Sequence, residues 1–317
     1  MRTVSFENGD EMPMIGLGTW KSPPEEVYEA VQTALEAGYR HVDCAPIYGN
    51  EAEVGEALAD SFDAGVVDQD DVWVTSKLWN DAHAPEDVRP ALEQTLSDLQ
   101  LDTLDLYLIH WPVAFERGTD YPSSPSEFVS LDEIPLPETW AAMEDLKAEG
   151  LVRHIGVSNF NIPKLQLLMD TGRVEPEMNQ IELHPYLQQP EMLDFAEEAG
   201  IPLTAYSPLG SRDRPEAIKA DDEPDLLEDP TIAEIAEEHD ATPAQVLISW
   251  ALHRDTVVIP KSTTPAHIRE NLAAAELELT EADMEAIAEL DRHRRYLQGE
   301  GWTIEGSPYT QSLLWEE

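Results

Sequence analysis

The chain has 317 residues, and its 65 Asp plus Glu against 19 Lys plus Arg give a formal net charge of −46. Charge of that sign and size argues strongly against nucleic acid and anionic membrane as partners, because both need basic patches. No apolar run approaches the roughly 18 residues of a membrane span, and the single Cys44 excludes an internal disulfide and any multi-cysteine metal site, so no metal is expected.

The N-terminus is polar and acidic, unlike a secretory signal, which predicts a cytoplasmic protein. Apolar residues recur with clear period, so the acidic excess is predicted to coat a folded domain instead of marking disorder. Self-repulsion of this kind is relieved by salt, since the Debye length falls to about 3 Å at 1 M. The composition therefore points to a halophilic host.

Residues 2–13 predict a β-hairpin turning at Asn8-Gly9. A short strand follows at 14–18, then a helix starting at Pro23-Pro24 and closed by Gly38. A strand at 41–43 ends at Asp43, Tyr48 lies on the loop behind it, and a helix begins near Glu51. Strand 72–76 runs into Lys77, helix 85–99 follows, and strand 104–109 runs into His110. Residues 112–136 are polar and proline-containing, too long for a plain connection, and predict a functional wall or lid. Then come helix 137–149, strand 153–157, helix 162–170, strand 178–182, helix 190–199 and strand 201–206. An irregular stretch to about residue 229 precedes helices 230–239 and 243–253, strand 256–260, helices 265–274 and 281–291, and a polar tail to Glu317. Eight strands alternating with helices predict one domain, 1–317: a (β/α)8 TIM barrel with an N-terminal β-hairpin and an extra C-terminal helix and tail. A doubly wound open sheet is the competing architecture.

Strand C-terminal ends are where barrel chemistry gathers, and Asp43, Lys77 and His110 end three successive strands, with Tyr48 beside them. Tyrosine, with a reference pKa of about 10, is a weak acid unless its anion is stabilised. A buried Lys77 ammonium is expected to lower it, Asp43 to balance that charge, and His110 to polarise a carbonyl oxygen. The four together suit proton delivery to a developing alkoxide. No G-x-G-x-x-G follows a strand, so a Rossmann site is not supported. His184 and His293 show no ligand spacing and are expected to be structural or on the surface. Trp20, Trp79 and Trp111, just past strand ends, suit an aromatic funnel for a substrate.

In order and spacing, Gly16-Leu17-Gly18-Thr19-Trp20-Lys21, Asp43 through Glu51, Ser76-Lys77-Leu78-Trp79-Asn80, Leu108-Ile109-His110-Trp111-Pro112, Gly156-Val157-Ser158-Asn159-Phe160, Ala205-Tyr206-Ser207-Pro208-Leu209-Gly210-Ser211 and Ile259-Pro260-Lys261-Ser262 resemble the aldo-keto reductase family over nearly the whole chain. Residues 205–215 and Asp291-Arg292…Arg295-Tyr296 are most similar to its aldehyde/aldose reductase branch. The resemblance implies a barrel that binds NADPH without a Rossmann fold and reduces an aldehyde or ketone to an alcohol. It implies Tyr48 as general acid, Asp43 and Lys77 as its tuning pair and His110 as the orienting group. Thr19, Trp20, Lys21 and Asp43 are implied on the cofactor, with Ser158, Asn159 and Gln180 on the carboxamide and Tyr206 stacked on the nicotinamide. Ser207, Leu209 and Ser211 are implied at the pyrophosphate, Lys21 and Asp213 as a strap, Lys261, Ser262 and Thr263 at the 2′-phosphate, and Glu270 and Asn271 on the adenine. Trp20, Tyr48, Trp79, His110 and Trp111 are implied around the small-molecule carbonyl substrate.

One position departs from the pattern: His267 stands where close relatives carry Arg beside the 2′-phosphate. A neutral His cannot match a permanently charged bidentate donor, so NADPH use with weaker discrimination against NADH is expected. A monomer is expected, since no partner helix or extended apolar patch is evident. Two other readings remain open: a non-catalytic NADP(H)-binding regulatory subunit of the same fold, and a barrel hydrolase built on Asp43 and Glu182.

Overall fold

A computed structural model describes residues 2–215, 219 and 223–315. Parts of the expected irregular stretch (216–218 and 220–222) and the end of the tail (316–317) lie outside the described residues. The hairpin forms from β1 (Thr3–Ser5) and β2 (Glu11–Pro13), antiparallel with Val4 opposite Met12. Its Phe6 stacks on Trp73 and His154 at ring distances of 5.2 and 4.1 Å. Those two residues stand at the N-terminal ends of their strands, so the hairpin plugs that end of the sheet.

Eight parallel strands follow in the order β3 (Leu17–Gly18), β4 (His41–Asp43), β5 (Trp73–Leu78), β6 (Leu104–Ile109), β9 (Val152–Ser158), β10 (Asn179–Glu182), β11 (Leu203–Tyr206) and β12 (Val257–Val258). The sheet curls until its edges meet. Ile15 bridges Val258, and the amides of Gly16 and Gly18 donate to Val258 O and Pro260 O at 2.9 and 3.1 Å. Glycine is needed for this closure, because a Cβ on Gly18 would lie 2.8 Å from the Ile259 carbonyl oxygen. The helices α1 (Pro24–Ala37), α2 (Glu51–Asp63), α3 (Pro85–Leu99), α4 (Leu136–Ala148), α5 (Ile162–Thr171), α6 (Pro190–Ala199), α7 (Pro230–Glu238), α8 (Pro243–His253), α9 (Pro265–Ala273) and α10 (Glu281–Ala288) lie between and after the strands. This is the order of a (β/α)8 barrel.

Helix α1 illustrates why these segments are helical. Val27, Ala30, Val31, Ala34 and Leu35 form one buried stripe, with Glu25, Glu26, Glu29 and Glu36 exposed. Pro24 starts the helix where its missing N–H costs nothing, and Gly38 at φ 112° ends it.

Three expectations need revision. Strands β5 and β9 run further than expected: Lys77 lies within β5, in register with Leu108, and Ser158 is the last residue of β9, in register with Gln180. The long 112–136 connection contains a two-stranded ribbon, β7 (Ala114–Phe115) with β8 (Phe128–Val129). Its stability comes from outside: Tyr309 OH accepts from Ala114 N at 2.8 Å and donates to Val129 O at 2.6 Å. The tail, expected to be polar apart from a pocket wall around Trp302, packs over more of its length. Trp302, Tyr309 and Leu314 are buried in a second apolar cluster with Trp79, Trp111 and Phe115, and the tail ends in a short helix, α11 (Gln311–Trp315).

Candidate active site

Strand β4 delivers Asp43 to the open, C-terminal end of the sheet, and β5 places Lys77 one strand away on the same face. Both are buried. Lys77 Nζ donates to Asp43 Oδ1 at 2.5 Å, to Cys44 O at 2.9 Å and to Tyr48 OH at 3.3 Å. Gln180 Nε2 donates to the other Asp43 oxygen at 2.7 Å. The ammonium and the carboxylate thus satisfy each other, which a buried pair requires. Tyr48 reaches this pair from a single turn of tight helix, Pro46–Tyr48, released by Gly49 at φ 68°. Asn50 ties the turn to its neighbour, donating to Thr19 O at 3.0 Å and Ser22 O at 2.9 Å. Trp20 and Lys21 are positioned through that link. Cys44 is fully buried behind Asp43, as a small packing residue.

His110, at the end of β6, meets Tyr48 edge to face at 5.8 Å and Trp79 at 5.1 Å. Burial, with Lys77 and His83 adding, pushes its imidazole well below the ordinary range, so it is neutral at physiological pH. The expected lowering of Tyr48 is not what the structure produces. Desolvation, then the Asp43 carboxylate, raises its phenol well above the ordinary range. The reason is that Lys77 does not act alone: Asp43, in direct contact, offsets its field, and desolvation is left to dominate. Tyr48 is therefore a protonated phenol whose oxygen faces an ammonium.

A belt of polar contacts continues around the strand ends. Ser158 Oγ donates to Gln180 O at 2.8 Å, Asn159 Nδ2 donates to His110 O at 2.9 Å, and Tyr206 OH donates to Asn159 Oδ1 at 2.6 Å. Lys21 donates to Ser211 Oγ at 2.7 Å and pairs with Asp213, which Lys261 also reaches at 3.0 Å. Burial opposes it, but Lys21 and Lys261 hold the Asp213 carboxyl down at about 2. Lys21, Asn159, Ser207 and Ser211 all adopt left-handed φ between 50° and 64°. Such strain costs about 1–3 kcal/mol per residue and gathers at functional sites.

These residues line a cavity of about 800 Å³ at the mouth of the sheet. Asp43, Tyr48, Lys21, His110, Trp20, Trp79, Trp111 and Tyr206 are on its wall, as are Thr19, Ser158, Asn159, Gln180, Ser207, Leu209, Ser211, Asp213, Lys261, Ser262 and Thr263. Lys77 stands behind that wall. His267, Glu270 and Asn271 are not among its lining residues: His267 is exposed on α9, Glu270 accepts from Thr242 Oγ1 at 2.8 Å, and Asn271 is buried. Arg269 is turned back onto its own helix, donating to Pro265 O at 3.1 Å.

The sequence predicts the rest of the wall from residues 112–136 and from the tail around Trp302; the residues that supply it, not singled out individually, are Tyr121, which stacks on Trp302 at 6.2 Å, and Arg294, Leu297, Gln298 and Gly299. The cations carried a usable signal. Among the described residues Lys21, Lys219, Lys261, Arg212, Arg294 and Arg295 line the cavity, six of the chain's 19 Lys and Arg. Among the described acids, only Asp43, Asp213, Glu223 and Glu300 do so, in a chain with 65 acids in all. The cavity is thus basic inside a very acidic molecule. That imbalance, with the left-handed loop residues beside it, fits the phosphates of a dinucleotide.

Glu182 does not pair with Asp43. It is fully buried, accepts from Tyr296 N and Leu297 N at 2.6 and 2.8 Å, and contacts His184 Nε2 at 2.9 Å. Burial pushes it up, but His184, then Arg295 and the Tyr296 amide, outweigh that and hold it below its ordinary range. Its work is to anchor the C-terminal segment, which removes the two-carboxylate hydrolase. His184 is structural, as expected.

Comparison with known proteins agrees with this geometry. The family model described as the aldo/keto reductase family matches residues 14–292. An aldo/keto reductase of Synechocystis sp. is 52% identical over 317 residues, covering 100% of this chain and 97% of the relative. Aldo-keto reductase family 1 member A1 of Gallus gallus is 48% identical over 296 residues, covering 93% and 90%. A structure of the aldose reductase from Schistosoma japonicum superposes with a TM-score of 0.87 at 41% identity, covering 95% of this chain and 96% of that one. The chain belongs to the aldo/keto reductase family.

Proposed function

We propose that the chain reduces an aldehyde or ketone to the alcohol with NADPH, using Tyr48 as the general acid. The observation that carries this reading is the buried Asp43–Lys77 pair set against the Tyr48 phenol, at the wall of a cavity rich in both aromatic rings and cations. The bound cofactor supplies the hydride that reaches the carbonyl carbon. Lys21, Lys261 and Ser262 are suited to its phosphates, Tyr206 to stacking on its nicotinamide, and Ser158, Asn159 and Gln180 to its carboxamide. Neutral His110 orients the carbonyl oxygen toward Tyr48, which gives up its hydroxyl proton there. The phenolate left behind faces the Lys77 ammonium 3.3 Å away. Trp20, Trp79 and Trp111 hold the organic part of the substrate and keep water out.

The same reading carries secondary inferences. With His267 exposed and Arg269 folded back, NADPH is preferred over NADH by less than a bidentate Arg would give. The acidic composition supports a salty cytoplasm as the setting, and the same reading takes the chain to be a monomer. No helix among the described residues is long and apolar enough to cross a membrane.

One experiment tests this reading: NADPH and NADH oxidation with a small aldehyde panel in about 2 M KCl, for the native chain and Tyr48→Phe. A positioned general acid is worth about 10²–10⁴ in rate, so the Phe variant loses that factor while its NADPH affinity stays within about twofold. Native turnover in Tyr48→Phe would remove the assigned acid. Cofactor binding without turnover of any carbonyl by the native chain would favour the regulatory-subunit reading.

A further inference from the structure

The cavity wall contributed by the C-terminal segment is held in place from outside the cavity. Helix α11 ends with carbonyls that need partners, and a lysine from a different layer supplies them. Lys164, in the first turn of α5 and only 8% exposed, donates from Nζ to Leu313 O at 2.5 Å and Leu314 O at 3.3 Å. Asn161 caps the start of α5 by accepting from Lys164 N at 3.2 Å, and its Nδ2 donates to Leu314 O at 3.2 Å. A cation at a helix C-terminus is favoured by the dipole, and charge-assisted bonds are stronger than neutral ones. Burying an ammonium is costly, and this chain has six lysines in all.

What α11 carries makes the contact consequential. Leu314 is buried in the aromatic cluster with Trp79, Trp111 and Trp302. It lies so close to Gly299 that a Cβ there would sit 3.1 Å from Leu314 Cδ1. Trp315 packs on Trp111 at 5.8 Å and donates from Nε1 to Gln298 O at 2.8 Å. Gln298, Gly299 and Trp302 line the cavity, whereas Lys164 and Asn161 do not.

We propose that Lys164, with Asn161, is a positioning residue that latches α11 and so sets the substrate wall formed by Gln298, Gly299 and Trp302. The inference rests on the reductase reading for its kinetic consequence. Its structural consequence is independent of turnover. The latch acts on the substrate side alone, because the Asp43–Lys77–Tyr48 group and the Lys21–Asp213 strap are built from other elements.

The test uses the full chain, Lys164→Met and Lys164→Arg in molar KCl. Carboxypeptidase release of tail residues and near-ultraviolet circular dichroism report the latch without any substrate. Steady-state kinetics with an aryl aldehyde and with a two- or three-carbon aldehyde, plus NADPH affinity from tryptophan quenching, report its effect. In Lys164→Met the tail is cleaved faster and the aryl-aldehyde KM rises roughly tenfold, about 1.4 kcal/mol of wall positioning. The kcat, the small-aldehyde KM and the NADPH affinity stay within about twofold, and Lys164→Arg recovers the native values. Unchanged cleavage and unchanged aryl-aldehyde KM overturn the proposal, and so does a parallel loss in both aldehydes and in NADPH affinity, which marks general destabilisation. If the native chain turns over neither aldehyde, the reductase reading fails by itself, and the cleavage rates alone then support or overturn the latch.

Discussion

Glu51, the first residue of α2, is buried against the back of the site. Ser76 Oγ and Thr95 Oγ1 donate to its carboxylate at 2.5 and 3.2 Å. Burial outweighs those two bonds and pushes its carboxyl up from 4.5 to about 7. A raised carboxyl contributes stability that is fully present below the unfolded value and is lost as pH rises through the folded one. The native chain therefore weakens between about pH 4.5 and pH 8 through this group, and Glu51→Gln does not. Each tenfold change in proton affinity is worth about 1.4 kcal/mol, so the glutamine variant gains of the order of 1–3 kcal/mol at the upper end. The check is the difference in Tm between variant and native chain across that range. A difference that stays constant with pH would show that Glu51 is not the titrating group. Asp10 and Asp213, both held down at about 2, titrate below this window. The buried His41, His83 and His110, all depressed, act inside it with the opposite sign but do so in both chains, so the difference between variant and native isolates Glu51.

At the scale of elements, helix starts follow proline closely. Pro24, Pro85, Pro190, Pro230, Pro243 and Pro265 each begin a helix, because φ is already set and no N–H is wasted. Helix packing is decided elsewhere. Gly55, in the middle of α2, lies directly against α3: a Cβ there would overlap the Asp98 carbonyl oxygen and come within 2.7 Å of the Leu99 backbone. On propensity alone Gly55→Ala stabilises a helix by about 1 kcal/mol. Here the added carbon must push two backbones apart, and overpacking typically costs about 1–3 kcal/mol. We expect Gly55→Ala to lower Tm and the urea midpoint. A rise in either would mean that α2 and α3 do not approach this closely.

For the whole molecule, 65 acids against 19 Lys and Arg leave little opposite charge for any one carboxylate. Where cations occur they are committed: Lys77 to Asp43, Lys147 to Glu177, Arg153 to Asp10 and Asp105, and six to the cavity. Most helices have no basic residue in the last turn, so their dipoles go uncompensated at that end. Repulsion of this extent is screened over about 10 Å at 0.1 M salt and about 3 Å at 1 M. Tm should therefore climb by several degrees or more from dilute buffer to about 2 M KCl. The buried Asp43–Lys77 contact should change little, so the KM for a small aldehyde at fixed temperature should move less than Tm does. An unaltered Tm across that range would leave the acidic composition without a role in salt adaptation.

Features that depend on neighbours along the chain were legible without coordinates. Periodic apolar stripes, proline starts and glycine stops placed most helices and most strands within a residue or two, and residue type at three successive strand ends, with the loop behind the first, singled out Asp43, Lys77, His110 and Tyr48. Features that depend on groups far apart in the chain emerge only on folding. The direction of the Tyr48 shift is a sum of desolvation and opposed fields from Asp43 and Lys77, and no local pattern contains that sum. The ordering of the tail is another case. Glu182 holds residues 296 and 297, Tyr309 pins the 114–129 ribbon, and Lys164 caps α11, each across more than 100 positions of chain. Hydrogen-bond satisfaction of a tail with no period of its own is a property of the folded surface it lies on.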